Sequence, residues 1–256
     1  MSEYQFVELD VSDRVANLRL NRPPANRLHI PMMEEINDAL LSLRSHADVL
    51  VVVVRGANGD FSAGLDLEEH VSGRVQRLMQ VYMRIFETIR IMNLISIAAV
   101  EGRAHGAGFE LALGCNLIVA TEDAEFALPQ IKTGRLAPVA SAILPRIAPR
   151  RKAMEWILTG NPIAAERLAH DGVINRLLPP PQFEAGLSEL VAEITDKSGP
   201  VLQLAKRAQV EAYYTTFTDA LANIQALYLK ELINLEDAAE GTSASREDRE
   251  PVWRHR

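Results

Sequence analysis

The chain has 256 residues, 48% of them hydrophobic, with a formal net charge of −7 and a pI of about 5.5. This length and composition suit one large globular domain or a domain with an appendage. The acidic balance excludes a general nucleic-acid binder, because no basic excess is available to neutralise phosphates.

The numbers and positions of cysteine and histidine residues exclude further classes of protein. The single cysteine, Cys115, excludes an intramolecular disulfide, and the apolar run around it predicts a buried thiol. The six histidines lack the i, i+4 pairing of a helical zinc site. Residues 1–10 are polar and acidic, and no apolar run reaches the length of a membrane span. We therefore expect a soluble cytoplasmic protein without a metal or a membrane partner.

The N-terminal part of the chain predicts a hairpin, a loop, a helix and a buried strand. Alternating apolar and polar residues at Phe6–Val11 and Val15–Leu20 predict a β-hairpin. Adjacent prolines force a loop at residues 21–26. Apolar residues at helical spacing predict a helix at Ile30–Leu43, and the valine-rich run Val49–Val54 predicts a strand buried on both faces.

Two strand-to-helix junctions follow. The first ends in Phe61–Leu67, ahead of an amphipathic helix at Arg74–Met92, and the second joins a strand at Ile95–Val100 to the turn Gly106–Glu110. Neighbouring parallel strands bring such turns to one sheet edge, where two backbone N–H groups could converge on an oxygen that gains negative charge. Taken alone, the second turn fits a packing role equally well, with Glu110 as an ordinary first-turn acid.

The C-terminal half shifts from mixed to helical character. Its patterns predict a strand at Cys115–Thr121, a loop at Lys132–Val139, a helix ending at Gly160, a short helix at Ala164–Asp171 and a strand at Val173–Leu178. Residues 183–240 carry no strand signal and predict successive helices separated near Ser198. The apolar stripes in residues 208–235 predict docking on the core or on another subunit.

Five short motifs occur in an order and spacing that resemble a known family. They are Asn21-Arg22-Pro23 with Asn26, Phe61–Leu67, His105–Leu111, Leu158-Thr159-Gly160 and Ala238–Gly241. Together they resemble the crotonase superfamily, the enoyl-CoA hydratase/isomerase family. The resemblance implies an α/β fold of the crotonase (ClpP-like) type, with a spiral of ββα units in residues 1–197. It also implies a C-terminal helical region, residues 198–256, that forms homotrimers, often paired into hexamers.

The resemblance also implies an acyl-CoA thioester as the substrate, with no cofactor beyond its coenzyme A. It places an oxyanion hole at the backbone N–H groups of Leu65 and Ala107, and it matches Glu110 to the first of two family acids. The second acid position holds Gln130, which can orient water but cannot exchange a proton near neutral pH. The residues expected to contact the substrate are Ala63, Gly64, Leu65, Asp66, Leu67, Glu68, Gly106 and Ala107.

Two further stretches, residues 62–70 and 131–140, resemble cyclohexa-1,5-diene-1-carbonyl-CoA hydratases of anaerobic benzoyl-CoA degradation. Common enoyl-CoA hydratases have a glycine-rich loop where this chain has the bulkier Ala137–Ala142, a difference that neutral packing variation also explains. The leading hypothesis is hydration of a conjugated, cyclic dienoyl thioester. The alternatives are an enoyl-CoA isomerase, a general enoyl-CoA hydratase, and a homologue that binds acyl-CoA without turnover.

Overall fold

The computed structural model describes residues 4–256, which divide into two compact units. One unit comprises residues 4–92 and 96–188, and the other comprises residues 93–95 and 189–256. Residues 1–3, part of the polar, acidic segment 1–10, lie outside the described residues. No helix within residues 4–256 is long and apolar enough to cross a membrane.

The first unit is built on two β-sheets. The strands are β1 (Val7–Ser12), β2 (Val15–Leu20), β3 (Val51–Gly56), β4 (Ile95–Val100), β5 (Arg103–His105), β6 (Leu117–Thr121), β7 (Glu125–Ala127), β8 (Ile163–Ala164) and β9 (Arg176–Leu178). The larger sheet has the order β1-β2-β3-β4-β6-β9, and the smaller sheet has the order β5-β7-β8. The β1–β2 pair is antiparallel, whereas β2–β3, β4–β6 and β6–β9 are parallel.

Helices alternate with these strands along the chain as far as β9, and helices follow β9. They are α1 (Ile30–Ser42), α2 (Val75–Ile91), α3 (Ala107–Gly114), α4 (Pro138–Ile147), α5 (Arg150–Thr159), α6 (Ala165–His170), α7 (Phe183–Thr195), α8 (Gly199–Tyr213), α9 (Phe217–Lys230) and α10 (Glu236–Arg246). Short 3-10 helices occupy Leu67–Glu69 and Pro129–Thr133, among other places. This mixed α/β architecture confirms the predicted fold class.

Several predicted elements are confirmed by the structure. The hairpin forms with Val7 opposite Leu20, and all four valines of Val51–Val54 are buried, as expected for a strand covered on both faces. The helix α5 ends at Gly160, which adopts a left-handed conformation with φ of 62°. Cys115 is buried.

Two expectations about local structure differ from the structure. Within the predicted loop Lys132–Val139, residues 134–137 lie outside regular helix as expected, but Lys132 and Thr133 end a 3-10 helix, and Pro138 and Val139 begin α4. The strand Ile95–Val100 does not lead directly into the Gly106 turn, because the short strand β5 lies between them.

The core of the first unit is aromatic and aliphatic. The side chains of Phe61, Phe109 and Phe126 are fully buried, and the rings of Phe109 and Phe126 pack edge to face with centroids 5.0 Å apart. Phe109 lies on α3 and Phe126 on β7, so this contact fixes the helix against the smaller sheet. The start of α3, and with it the Gly106–Glu110 turn, is thereby held in one position.

Candidate active site

The two predicted turns meet through backbone hydrogen bonds. The Ser62 amide donates to the Arg103 carbonyl at 2.9 Å, and the His105 amide donates to the Ser62 carbonyl at 2.9 Å. Gly64 packs so closely that a Cβ atom there would lie 2.8 Å from the His105 carbonyl oxygen and 3.4 Å from the Ala107 nitrogen. Its φ of 94° also favours glycine. The first turn therefore lies directly against the start of α3.

The backbone N–H groups of Leu65, in the first turn, and Ala107, the first residue of α3, have no acceptor in the described part of the chain. The neighbouring amides of Gly64, Asp66 and Gly106 all donate within the protein. The first-turn amides of a helix have no partner inside the helix and carry partial positive charge. Both free amides are thus suited to a ligand oxygen.

A pocket of about 590 Å³ opens beside these amides. Of the predicted site residues, Ala63, Gly64, Leu65, Leu67, Gly106, Ala107, Glu110 and Gln130 line it. Asp66 and Glu68 do not: the Asp66 carboxylate instead pairs with the Arg22 guanidinium at 2.7 Å and accepts from the Glu68 amide at 3.3 Å. For these two residues a contact with the substrate stays a prediction.

Glu110 is the acid at the centre of the site, and only 1% of it is exposed. Its Oε1 atom accepts hydrogen bonds from the amides of Val139 at 2.7 Å and Ala140 at 2.9 Å. Its Oε2 atom accepts from the Tyr82 hydroxyl at 2.9 Å and from Gln130 Nε2 at 3.1 Å. Since α4 has no side-chain cap of its own, the carboxylate of Glu110 satisfies two amides of its first turn.

Burial sets the protonation behaviour of this carboxyl group. Removal from water raises the pKa of Glu110 to about 7, although the four hydrogen bonds act in the opposite direction by stabilising the ionised form. Burial, together with the neighbouring carboxylate, raises the pKa of Tyr82 well above its ordinary value. Glu110 can therefore exchange a proton near neutral pH, which is the property that general acid–base catalysis requires.

Gln130 lies on the 3-10 helix Pro129–Thr133, beside the Gly106 turn. A Cβ atom at Gly106 would lie 3.5 Å from Gln130 Nε2. While Nε2 donates to Glu110, the buried Oε1 atom has no hydrogen-bond partner within residues 4–256. The amide oxygen next to the carboxylate is thus an unsatisfied hydrogen-bond acceptor.

The structure adds two features that the sequence did not reveal. Tyr82 was counted only as part of the apolar stripe of the predicted helix at Arg74–Met92, although a buried hydroxyl needs a partner and could have raised the question. The amides of Val139 and Ala140 carried no signal at all. His70 follows the 3-10 helix Leu67–Glu69 and lines the pocket, with a buried Nδ1 atom that has no hydrogen-bond partner within residues 4–256.

The site has the groups needed by an enzyme that stabilises negative charge on a carbonyl oxygen and moves a proton beside it. Two free amides can hold a carbonyl oxygen as it becomes negative, and a buried acid with a pKa of about 7 can move a proton at the neighbouring carbon. Within residues 4–256, no cluster of side chains suited to a metal ion accompanies them.

Comparison with known proteins agrees with that chemistry. A family model described as enoyl-CoA hydratase/isomerase matches residues 10–256. The carnitinyl-CoA dehydratase of Escherichia coli is 33% identical over 264 residues, covering 98% of this chain and 99% of that protein. The chain belongs to the enoyl-CoA hydratase/isomerase family, within the crotonase superfamily. This membership, with hydratases among its relatives, indicates an enzyme of the carbon–oxygen lyase class.

Solved structures show the same relationship at the level of the fold. An enoyl-CoA hydratase subunit from Geobacillus kaustophilus is similar with a TM-score of 0.93 at 28% identity, covering 100% of both chains. An enoyl-CoA hydratase from Mycobacterium tuberculosis is similar with a TM-score of 0.86 at 31% identity, covering 98% of this chain and 99% of that one.

Proposed function

We propose that the chain is an acyl-CoA hydratase that adds water to, or removes it from, a conjugated thioester. The observation that carries the proposal is the pairing of a buried carboxylate, Glu110, with free amides on two adjoining turns. The pKa of Glu110, raised to about 7 by burial, suits a group that takes up and returns a proton within one cycle.

In this proposal the amides of Leu65 and Ala107 bind the thioester carbonyl oxygen. Polarising that carbonyl withdraws electrons from the conjugated double bond, so that attack at its far end produces an enolate. The developing negative charge is held by donors that need no reorganisation, and the loss of one such donor typically costs about 10²–10³ in rate.

Glu110 supplies the proton steps. Ionised Glu110 removes a proton from water as the water oxygen bonds to carbon, and the electron pair of the double bond moves toward the thioester oxygen. Protonated Glu110 then gives that proton to the enolate carbon, which regenerates the carboxylate and completes the addition of one water. Gln130, with its unpartnered Oε1 atom, accepts a hydrogen bond from the attacking water and orients it.

A conjugated, cyclic dienoyl thioester is the acyl group we propose. The sequence resemblance of residues 62–70 and 131–140 to cyclohexa-1,5-diene-1-carbonyl-CoA hydratases supports it. Pro138 lines the pocket in the stretch Ala137–Ala142, where common enoyl-CoA hydratases have a glycine-rich loop, and Leu136 lines the pocket just before it. In the proposal these side chains limit the shape of the acyl group that fits. Residues 63–68 and Gly106 are proposed to contact the coenzyme A thioester, and no separate cofactor is invoked.

We further propose that the protein assembles as a homotrimer or as a hexamer of two trimers. The support is a set of exposed apolar side chains in the C-terminal unit, which in water would favour association. They include Phe217, Leu221, Tyr228, Leu229 and Ile233.

The experiment is a hydration assay with two substrates in H₂¹⁸O. Crotonyl-CoA and the cyclic dienoyl-CoA are offered separately, the conjugated absorbance is followed, and the product is weighed by mass spectrometry. We expect loss of absorbance with ¹⁸O incorporated, faster for the cyclic dienoyl thioester. Isomerisation without ¹⁸O, or thioester binding without any product, would contradict the hydratase proposal, and faster turnover of crotonyl-CoA would contradict the cyclic substrate.

A further inference from the structure

Among the described residues, Tyr82 is the one whose hydroxyl group reaches the Glu110 carboxylate. It lies on α2, its side chain is fully buried, and its hydroxyl donates to Glu110 Oε2 at 2.9 Å. Its ring packs edge to face against Phe86, with centroids 5.0 Å apart. Packing alone would be served by a phenylalanine, which buries the same ring without a hydroxyl that must be satisfied.

The four donors around Glu110 are not equivalent. The amides of Val139 and Ala140 can only donate, and together they occupy Oε1, so a proton on that atom would face an N–H group. On Oε2, the Tyr82 hydroxyl can rotate and accept a hydrogen bond as readily as it donates one. Gln130 can also reverse, by presenting Oε1 instead of Nε2. A proton on Oε2 can therefore be accepted by the Tyr82 hydroxyl or by Gln130 Oε1, whereas a proton on Oε1 would meet only donors.

The geometry points to Tyr82 as a positioning residue that makes Oε2 of Glu110 the proton-exchanging atom. Its hydroxyl donates to the ionised carboxylate and accepts from the neutral acid, so that Glu110 keeps one orientation throughout the cycle. This inference rests on the proposed acid–base role of Glu110, and it adds a residue from α2, an element to which the sequence resemblance assigned no site residue.

Other charged and titratable groups also line the pocket, and their effects on Glu110 must be distinguished from the effect of Tyr82. They are Arg27, His70, Arg103, His105 and Arg135. Arg103 is paired with Asp60 at 2.6 Å, and His105 Nε2 lies 2.8 Å from Glu125 Oε1. None of the five side chains donates a hydrogen bond to Glu110 in the described part of the chain, whereas Tyr82 does.

The test is an NMR titration of the protein labelled with ¹³C at the glutamate carboxyl carbons. Glu110 is assigned by the resonance that disappears in Glu110→Gln. In Tyr82→Phe we expect the Glu110 midpoint to rise by about one pKa unit, because both hydrogen bonds are lost and the one to the ionised carboxylate is the stronger. The matched control is Tyr4→Phe, which removes an exposed tyrosine–carboxylate bond, from Tyr4 to Asp38 Oδ2 at 3.0 Å.

Kinetics give a second measurement on the same variants. We expect Tyr82→Phe to lower kcat by about 10–100-fold with little change in KM, and to move the acid limb of the pH profile upward with the NMR midpoint. A purely structural role would not move that limb. An unchanged Glu110 midpoint in Tyr82→Phe, or an equal shift in Tyr4→Phe, would overturn the inference.

A wild-type measurement covers the case in which Tyr82→Phe does not fold. With ¹³C at the tyrosine ζ carbons, one of the five tyrosine resonances should titrate at the Glu110 midpoint and lose that step in Glu110→Gln. A set of resonances with no such step would contradict the inference. If no thioester is hydrated, the proposed function fails, but both titrations still decide whether Tyr82 governs Glu110.

Discussion

Glu110 is deeply buried and accepts four hydrogen bonds, and these two features shift its pKa in opposite directions. Because burial has the larger effect, ionised Glu110 lowers the stability of the folded protein. An ordinary glutamate has a pKa near 4.5, whereas burial raises the pKa of Glu110 to about 7. Between these values the folded protein binds more protons than the unfolded chain. Folding stability attributable to Glu110 therefore falls as pH rises from about 4.5 to 7, by about 3 kcal/mol in total.

Replacing the carboxylate tests this balance. Glu110→Gln keeps an oxygen for the amides of Val139 and Ala140 but cannot ionise. The stability of the variant relative to wild type should therefore be greater at pH 8 than at pH 5. Urea unfolding of both proteins at the two pH values measures the difference. A constant stability difference between wild type and variant would show that Glu110 titrates normally.

A second prediction at the scale of one residue concerns the effect of replacing Gln130. Gln130→Glu places a second carboxyl group beside Glu110 Oε2, where Gln130 Nε2 now lies at 3.1 Å. Two carboxylates this close cannot both ionise easily, so the pair should share a proton and the acid limb of kcat/KM should move up by at least about one pH unit. The pH–rate profile is the measurement, and Gln182→Glu, an exposed substitution on another 3-10 helix, is the control. An unshifted limb would contradict the proposed proximity.

At the scale of elements, the contact between the two turns depends on Gly64. A methyl group there would meet the His105 carbonyl oxygen at 2.8 Å, and the φ of 94° disfavours any other residue. Gly64→Ala should therefore move the Leu65 amide away from Ala107 and lower kcat/KM at least about tenfold, with a stability loss of about 1–3 kcal/mol.

The control for this change is Gly73→Ala. A methyl group at Gly73 would have no heavy atom within 4 Å, and the φ of this residue is not positive, so the rate and melting temperature of the variant should stay near wild type. Thermal melts and steady-state kinetics on both variants make the comparison. Equal behaviour of the two variants would show that the turns are not held by the close approach of Gly64.

The same elements explain what sequence patterns can predict. The runs Val49–Val54 and Ile95–Val100 were found because burial on both faces leaves continuous apolar residues. The strand β5 has only three residues, too few for any period to show. The helix α4 was missed because its N-terminal amides are satisfied by Glu110, a residue far away in the chain, and not by a local capping side chain.

In the candidate site, too, some features could be predicted from sequence patterns and others could not. Backbone donors on the two small-residue turns could be inferred from the turns themselves, since such turns create free amides, but their assignment to Leu65 and Ala107 came from the family resemblance. The Tyr82 hydroxyl could not be placed in the site, because a tyrosine in an apolar helical stripe has the same pattern whether or not it faces a carboxylate. Side-chain partners across elements depend on packing that spacing along the chain does not describe.

At the scale of the whole molecule, the exposed apolar face of α9 bears on assembly. Phe217 is 78% exposed, and Leu221 lies on the same helix and is also exposed. The protein should have about three or six times the mass of its 28.3 kDa chain. The double change Phe217→Asp with Leu221→Asp should shift the mass measured by light scattering toward one chain, because charged groups would be buried in the interface.

The exposed polar residue Asn223, also on α9, provides the matched control. Asn223→Asp adds a single negative charge and should leave the mass unchanged, although it changes the charge of the same helix. A monomeric wild-type protein, or a double variant with unaltered mass, would contradict the proposed assembly.

The most direct test of the central claim is the hydration rate of wild type and Glu110→Gln, followed through the conjugated thioester absorbance. We expect a fall in kcat of about 10²–10⁴, with KM changed only a few-fold, because in the proposed mechanism Glu110 moves the proton and the backbone amides hold the thioester. Full activity in Glu110→Gln would contradict the role of Glu110 as the acid and base of the reaction.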